Sequence, residues 1–305
     1  MRVAIYGGTG FVGSYLIDGL IAAGHDPAVL VRPGSEDKVR HRDKCRIVPG
    51  DIGDGSAVAE VLTGCDAAIY NIGILRESPS AGITFLALQY EGAKLAIETA
   101  MARGIGRFVL MSANGVKAHG TAYQETKYLA ERFLAQSELD YTIFRPSVVF
   151  GDPRGRMEFC TQLRDDMILP PIPAPGFFTG TSPATGGFSM SPVHVRDVAL
   201  AFVRSLESKD TFGGTYALCG PEALAWPEII RRIAAAVGRR KTVVPVPAGL
   251  VRAAASVLDR FESFPITRDQ LDMLMEGNTG DSREIFSMLG IKPLRFDVEN
   301  LAYLK

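Results

Sequence analysis

The first thirteen residues constrain the fold more than any other stretch. Arg2-Val3-Ala4-Ile5-Tyr6 reads as a short buried strand that runs straight into Gly7-Gly8-Thr9-Gly10-Phe11-Val12-Gly13. Leu16, Leu20 and Ile21 then recur at helical spacing. Strand, glycine turn and helix in that order are the context in which a Gly-x-Gly-x-x-Gly spacing carries information. The turn needs glycines because the backbone reverses tightly and must approach a pyrophosphate, whose charge sits on the N–H groups that open the helix. Gly10 and Gly13 serve either form of the spacing, while Gly7 and Gly8 compete for its first place. The stretch predicts a dinucleotide-binding start.

Beyond this turn the chain alternates strand and helix patterns, the mark of a parallel sheet with crossover helices. Strands are expected at 28–31, 46–48, 66–70, 107–111 and 141–144, with helices at 83–103 and 123–136. The fold class is therefore α/β, a Rossmann-type doubly wound parallel sheet with a smaller, mainly helical C-terminal cap. Residues 1–150 form the nucleotide-binding domain, and 151–305 a substrate or cap region interleaved with the last strands of the sheet. A strand is expected at 215–218 and a helix at 198–206; Pro227 opens a helix that Gly238 ends. Thr267-Arg268-Asp269-Gln270 reads as a capping box, and Asp281 with Glu284 caps a helix that Gly290 ends. Residues 169–192 are rich in Pro, Gly, Ser and Thr around Phe177, Phe178 and Phe188, and are expected to form an irregular lid on the substrate side. Leu250, Val251, Ala254, Val257, Leu258 and Phe261 mark an amphipathic helix, expected to pack on the cap, with a membrane or partner surface as the alternative.

Composition excludes several classes. A net charge of −1 over 305 residues gives no basic footprint for nucleic acid. The four cysteines and four histidines show no metal-ligand spacing, so no metal is expected. No apolar run reaches the roughly 18 residues that span a bilayer. A strand opening at Arg2 leaves no stretch for a signal peptide, and a cytoplasmic location is expected.

Two positions speak to cofactor and chemistry. The end of the second strand carries Arg32 where a site for NAD carries an acidic residue, and an arginine fork suits a 2′-phosphate. The cofactor is read as NADP(H), with NAD(H) as the alternative. Tyr123 and Lys127 stand four apart on one helical face, so both can meet one ligand. A nearby ammonium is expected to lower the tyrosine pKa and to make Tyr123 a proton carrier for a substrate oxygen.

Taken with Gly50-Asp51, Arg145-Pro146-Ser147-Val148-Val149-Phe150-Gly151 and His194-Val195-Arg196-Asp197-Val198, these motifs resemble the extended short-chain dehydrogenase/reductase superfamily nearly end to end. Met111-Ser112-Ala113-Asn114-Gly115, the run from Thr121 to Lys127 and Asp269-Gln270-Leu271 are similar to an atypical branch. That branch holds the nucleotide-binding accessory subunit of respiratory complex I and its bacterial relatives. The resemblance selects Gly7 as the first glycine and implies that Gly7, Gly10 and Gly13, with Thr9, Phe11 and Val12 between them, hold the phosphates. It implies that Asp51, with Ile52 beside it, contacts the adenine, and that Ile72 and Gly73 line the cofactor channel. Tyr123 and Lys127 would sit at the nicotinamide ribose, and Pro146 to Val148 would bring backbone groups to the carboxamide. Active members place a Ser or Thr at the end of the fifth strand; here that position is Asn114, with Ser112 two residues earlier.

Two functions are compatible with this sequence. The first is oxidoreductase or epimerase-type hydride transfer on an unidentified small molecule, with Tyr123 as acid and base. The second is a non-catalytic nucleotide-binding accessory or assembly factor of a respiratory NADH:quinone oxidoreductase, in peripheral association with that complex. The resemblance is consistent with a monomer or a homodimer.

Overall fold

The computed structural model describes residues 1–179, 182, 186–251 and 268–305. The chain divides into two compact units. The first comprises Met1–Pro146, Val195–Leu218 and Arg283–Lys292, and the second Ser147–His194, Cys219–Ser282 and Pro293–Lys305.

The first unit is built on seven strands: β1 (Arg2–Tyr6), β2 (Asp26–Val31), β3 (Arg46–Pro49), β4 (Ala67–Tyr70), β5 (Arg107–Met111), β6 (Asp140–Pro146) and β7 (Gly214–Leu218). They lie in the order β7-β6-β5-β4-β1-β2-β3, every neighbour parallel. The doubly wound sheet expected from the alternation is present. Its strands are apolar on both faces because helices cover both. Alternate residues Ala4, Tyr6, Ala28, Leu30, Ala68, Tyr70, Phe108 and Leu110 share one core with α2 (Gly55–Val61), α3 (Gly92–Ala102) and α4 (Ala122–Ala135). On the other side Gly19 of α1 (Phe11–Ala22) lies against Val203 of α5 (Val195–Ser205), and Phe202 of α5 stacks on Phe144 with ring centroids 4.9 Å apart. Between β1 and β4 the strand order reverses, and a doubly wound sheet binds its ligand outside the strand ends at such a point.

The helix expected at 83–103 is not uniform. Leu86–Glu91 is a π-helical turn that runs into α3. The wider turn is held from the sheet, where the Tyr70 hydroxyl donates to the Leu88 carbonyl at 2.5 Å. At the N-terminal end of β5, buried Arg107 donates to the carbonyls of Asp140 and Ser205 and to Thr142 Oγ1, each at 2.7 Å. Its guanidinium also lies 4.4 Å from the centre of the Phe212 ring. Ser205 ends α5, where a cation suits the helix dipole.

The second unit departs from the expected irregular lid. Ala174–Phe178 is a strand, paired in parallel with Val243–Pro247. Ser189–Met190 pairs antiparallel with Leu224–Ala225, and Val149–Phe150 pairs in parallel with Val193–His194. Proline at 245 and 247 hides the partner strand from a pattern reading. Phe177 and Phe188 are buried within this unit against Trp226, whose indole N–H donates to the Pro175 carbonyl at 2.9 Å. Trp226–Ala236 is helical with Pro227 in its first turn, as expected, and Gly238 follows it at φ +71°. Helix Arg268–Met275 is also present in this unit, and the expected helix at Arg283–Met288 is present in the first. Thr267 of the expected capping box, and the amphipathic stretch from 252 onward, lie outside the described residues.

Candidate functional site

The glycine turn joins β1 to α1 at the C-terminal edge of the sheet. Gly7 has φ +91°, a region closed to most side chains, and so it takes the first place in the spacing ahead of Gly8. Gly13 is required by space. A Cβ there would stand 2.2 Å from the Gly7 carbonyl oxygen and 2.7 Å from the Gly8 Cα, both backbone atoms. Gly10 occupies the N-cap of α1 and provides no capping side chain. The turn thus combines a closely packed glycine backbone with a helix N-terminus that no side chain of its own caps, which fits a dinucleotide pyrophosphate. Thr9, Phe11 and Val12 lie in this turn and the first residues of α1.

Around it the other expected contacts fall on strand ends. Ile72 follows β4, its side chain close to Gly7, and Asn71 Nδ2 donates to the Gly7 carbonyl at 3.3 Å. Asp51 is exposed after β3, where its carboxylate accepts from Gly53 N–H at 3.0 Å. Ile52 is used differently: its side chain is buried in the core against Gly92 of α3. Arg32 is exposed at the end of β2, and among the described residues its guanidinium has no hydrogen-bond or ion-pair partner.

The second cluster lies at the C-terminal end of β5. Thr121 and Gln124 form a reciprocal capping box that starts α4, fixing the turn that carries Tyr123. Lys127 is buried, and its Nζ donates to the Met111 carbonyl at 3.1 Å. That ammonium stands 3.5 Å from where a Cβ on Gly73 would be, and 5.7 Å from the centre of the Tyr123 ring. The sequence thus brings Tyr123, Lys127 and Gly73 together with the end of β5. Burial lowers the Lys127 pKa to about 8, with the Glu131 carboxylate pulling the other way. One turn further along α4, Glu131 is held by Arg145 through two hydrogen bonds, of 2.8 and 2.5 Å.

The expected lowering of the tyrosine is not found. Tyr123 is half-buried with Phe85 packed edge-on at 5.7 Å, and burial pushes its phenol above the ordinary value. The reason is geometric: the Lys127 ammonium is directed at the Met111 carbonyl and is itself driven toward neutrality.

Ser112 N–H continues the sheet by donating to the Phe144 carbonyl, but its buried hydroxyl has no partner among the described residues. Asn114 N–H donates to the Pro146 carbonyl at 2.9 Å and ties the ends of β5 and β6 together. Val148 belongs to the second unit, where its carbonyl accepts from Val193 N–H at 2.9 Å; it is not part of the cluster within the first unit.

Gln89 escapes a motif reading. It is 2% exposed, its Nε2 donates to the Ile74 carbonyl at 2.9 Å, and its Oε1 accepts from Thr126 Oγ1 at 3.1 Å. One amide in the π-helical turn therefore joins the Ile72–Ile74 segment to the residue before Lys127. The available signal is a polar residue four positions after Phe85, on the face that α3 and its approach bury.

Comparison with known proteins gives the family and the fold. The NAD(P)H-binding family matches residues 7–167. The chain is similar to a ceramide reductase of Caulobacter vibrioides, 26% identical over 87% of this chain and 80% of that protein. It is also similar to the mitochondrial NADH-ubiquinone oxidoreductase 40 kDa subunit of Neurospora crassa, 24% identical over 98% of this chain and 77% of that one. Among solved structures, the UDP-glucose 4-epimerase of Thermus thermophilus in complex with NAD shares the fold. Its TM-score is 0.74 at 18% identity, covering 99% of this chain and 97% of that one.

Proposed function

The chain belongs to the NAD(P)H-binding family, among proteins of the extended short-chain dehydrogenase/reductase type, and on that premise we propose that it is an NADPH-dependent oxidoreductase acting on a carbonyl-bearing small molecule. The observation that carries this reading is Lys127, a buried ammonium beside Tyr123 and Gly73 at the end of β5. When bound, a nicotinamide supplies hydride to a carbonyl carbon. Tyr123 keeps its phenolic proton well beyond neutral pH because it is buried, which suits it to give that proton to the carbonyl oxygen as reduction proceeds. Lys127, with a pKa of about 8, stands beside it mainly as the ammonium at neutral pH and gives up its proton just above. The unpartnered Ser112 hydroxyl offers a further donor at the same strand end. A relative named as a reductase supports the reductive direction. Arg32, exposed and without a partner among the described residues, supports NADPH over NADH.

The test has two arms. Fluorescence titration is expected to give tighter NADPH than NADH binding, and Arg32→Asp is expected to remove that preference; an unchanged preference removes Arg32 from the site. In a carbonyl screen, Tyr123→Phe is expected to abolish NADPH oxidation while leaving NADPH affinity within about twofold.

A second reading has its own support. Asn114 stands where active members of the superfamily carry a hydroxyl, and no cation lowers the Tyr123 phenol. Under this reading the protein is a cytoplasmic accessory or assembly factor that holds NADPH as a structural ligand in peripheral association with a respiratory complex. Co-purification with subunits of that complex, together with no carbonyl turnover at saturating NADPH, would favour it.

A further inference from the structure

We propose that the second unit carries a surface that docks on an anionic lipid bilayer, centred on Leu169 and Ile172. Leu169 is 41% exposed and Ile172 66% exposed, in the run Leu169-Pro170-Pro171-Ile172-Pro173. Three prolines in five residues fix the backbone, so the two aliphatic side chains are held outward at little further entropic cost. Residues of one unit alone build this surface.

Cations hold the backbone of this run. Arg239 donates to the Leu169 carbonyl at 2.9 Å, and Lys241 Nζ donates to the carbonyls of Ile168 and Pro170 at 3.2 and 2.5 Å. Arg240, between Arg239 and Lys241 in the chain, is exposed, and Lys305 is exposed on the same concavity as Leu169 and Arg239. A concavity of about 460 Å³ runs between Leu169, Arg239, Arg164 and Lys305. Two carboxylates lie on the same segment: Asp165 is paired with Arg164 at 2.7 Å, and Asp166 is exposed. Arg239, Arg240 and Lys241 therefore outnumber the one carboxylate on this segment, Asp166, that Arg164 does not pair. Arg239 and Lys241 use some of their donors on carbonyls, which sets their long apolar stems along the loop and leaves further N–H groups outward.

Protruding aliphatic residues next to a basic cluster match a bilayer surface, where the apolar tips enter the headgroup boundary and the cations meet anionic phosphates. A protein partner fits less well. Protein interfaces concentrate their affinity in tryptophan, tyrosine and arginine, and leucine is under-represented there; the two exposed tips here are Leu169 and Ile172.

The test is co-sedimentation of the full chain with phosphatidylcholine vesicles, with and without phosphatidylglycerol. The protein is expected to pellet with the anionic vesicles alone and to be released by raised salt. Leu169→Asp with Ile172→Asp, and separately Arg239→Glu with Arg240→Glu, are each expected to weaken binding at least about tenfold. These positions are exposed, and an unchanged thermal unfolding profile of the full chain serves as the folding control. No binding to anionic vesicles, equal binding to neutral ones, or full binding by the charge-reversed variant overturns the proposal. So does capture of an acidic protein without any vesicle binding. None of these outcomes depends on whether the nucleotide site is catalytic.

Discussion

Lys127→Met is expected to stabilise the cofactor-free protein at neutral pH. Lys127 is 5% exposed, and burial lowers its pKa from 10.5 to about 8, against the opposing pull of Glu131. Below pH 8 both the folded and unfolded chains hold the proton, and the folded state bears the whole cost of burying the cation. At about 1.36 kcal/mol per pH unit that cost is on the order of 3.4 kcal/mol. Between pH 8 and 10.5 the unfolded chain binds more protons than the folded one, so stability rises with pH until the cost has gone. Methionine keeps an unbranched chain of similar length and carries no charge. It gives up the hydrogen bond to the Met111 carbonyl, worth about 1 kcal/mol. The balance is a gain of about 2 kcal/mol at pH 7 and a loss of about 1 kcal/mol above pH 10.5. Urea unfolding followed by far-UV circular dichroism at pH 7 and near pH 10.5 reads this difference. Tyr6, Tyr70 and Tyr123, whose phenols are also raised by burial, act on both proteins and cancel in the comparison. A variant less stable at pH 7, or a difference that does not change sign with pH, would refute the reasoning.

Two further substitutions probe the nucleotide site. Gly13→Ala forces a Cβ to within 2.2 Å of the Gly7 carbonyl, so the turn must shift; NADPH titration is expected to weaken at least about tenfold, with a stability loss of about 1–3 kcal/mol. Unchanged affinity would show that the turn does not hold the phosphates. Gln89→Leu removes the bridge between Ile74 and Thr126: the Ile74 carbonyl loses its amide donor, while Thr126 Oγ1 keeps its bond to the Ala122 carbonyl at 2.7 Å, so the cost is about 1–3 kcal/mol in all. NADPH affinity is expected to fall about tenfold while adenosine 2′,5′-bisphosphate, which has no nicotinamide half, binds as before. Equal loss of both ligands would assign Gln89 to general stability.

The architecture of the first unit was legible because its signals are local. The strand β5 falls on 107–111 as read, and Tyr123 and Lys127 lie on α4, because apolar strands and a four-residue helical spacing need no distant partner to be recognised. What escaped is what depends on long-range contact. The strand Ala174–Phe178 is invisible without its partner at 243–247, which is broken by prolines. The π-helical turn at Leu86–Glu91 depends on a hydroxyl from Tyr70, 18 residues before the Leu88 carbonyl that accepts from it. The same limit produced the error over Tyr123. Spacing placed Lys127 on the correct face, but whether an ammonium lowers a neighbouring phenol depends on where Nζ points and how far both groups are desolvated.

The two ends of β5 separate structural from functional burial. Each end buries a cation. At the N-terminal end Arg107 donates to two carbonyls and a threonine hydroxyl and packs on Phe212, so that nearly all of its fork is engaged and only Nε lacks a partner among the described residues. Burial lowers its pKa to about 10, still far above neutrality, and it remains a fixed charge that ties β5, β6 and α5. At the C-terminal end Lys127 has a single hydrogen bond, to Met111, among the described residues, and the adjoining Ser112 hydroxyl has none. A core selected for stability alone would not keep a half-satisfied ammonium and an unpaired hydroxyl side by side, since apolar residues of the same size are cheaper there. Both lie at the strand end that a doubly wound sheet turns toward its ligand. Their incomplete bonding is the expected signature of groups whose remaining partners belong to a bound nucleotide or substrate.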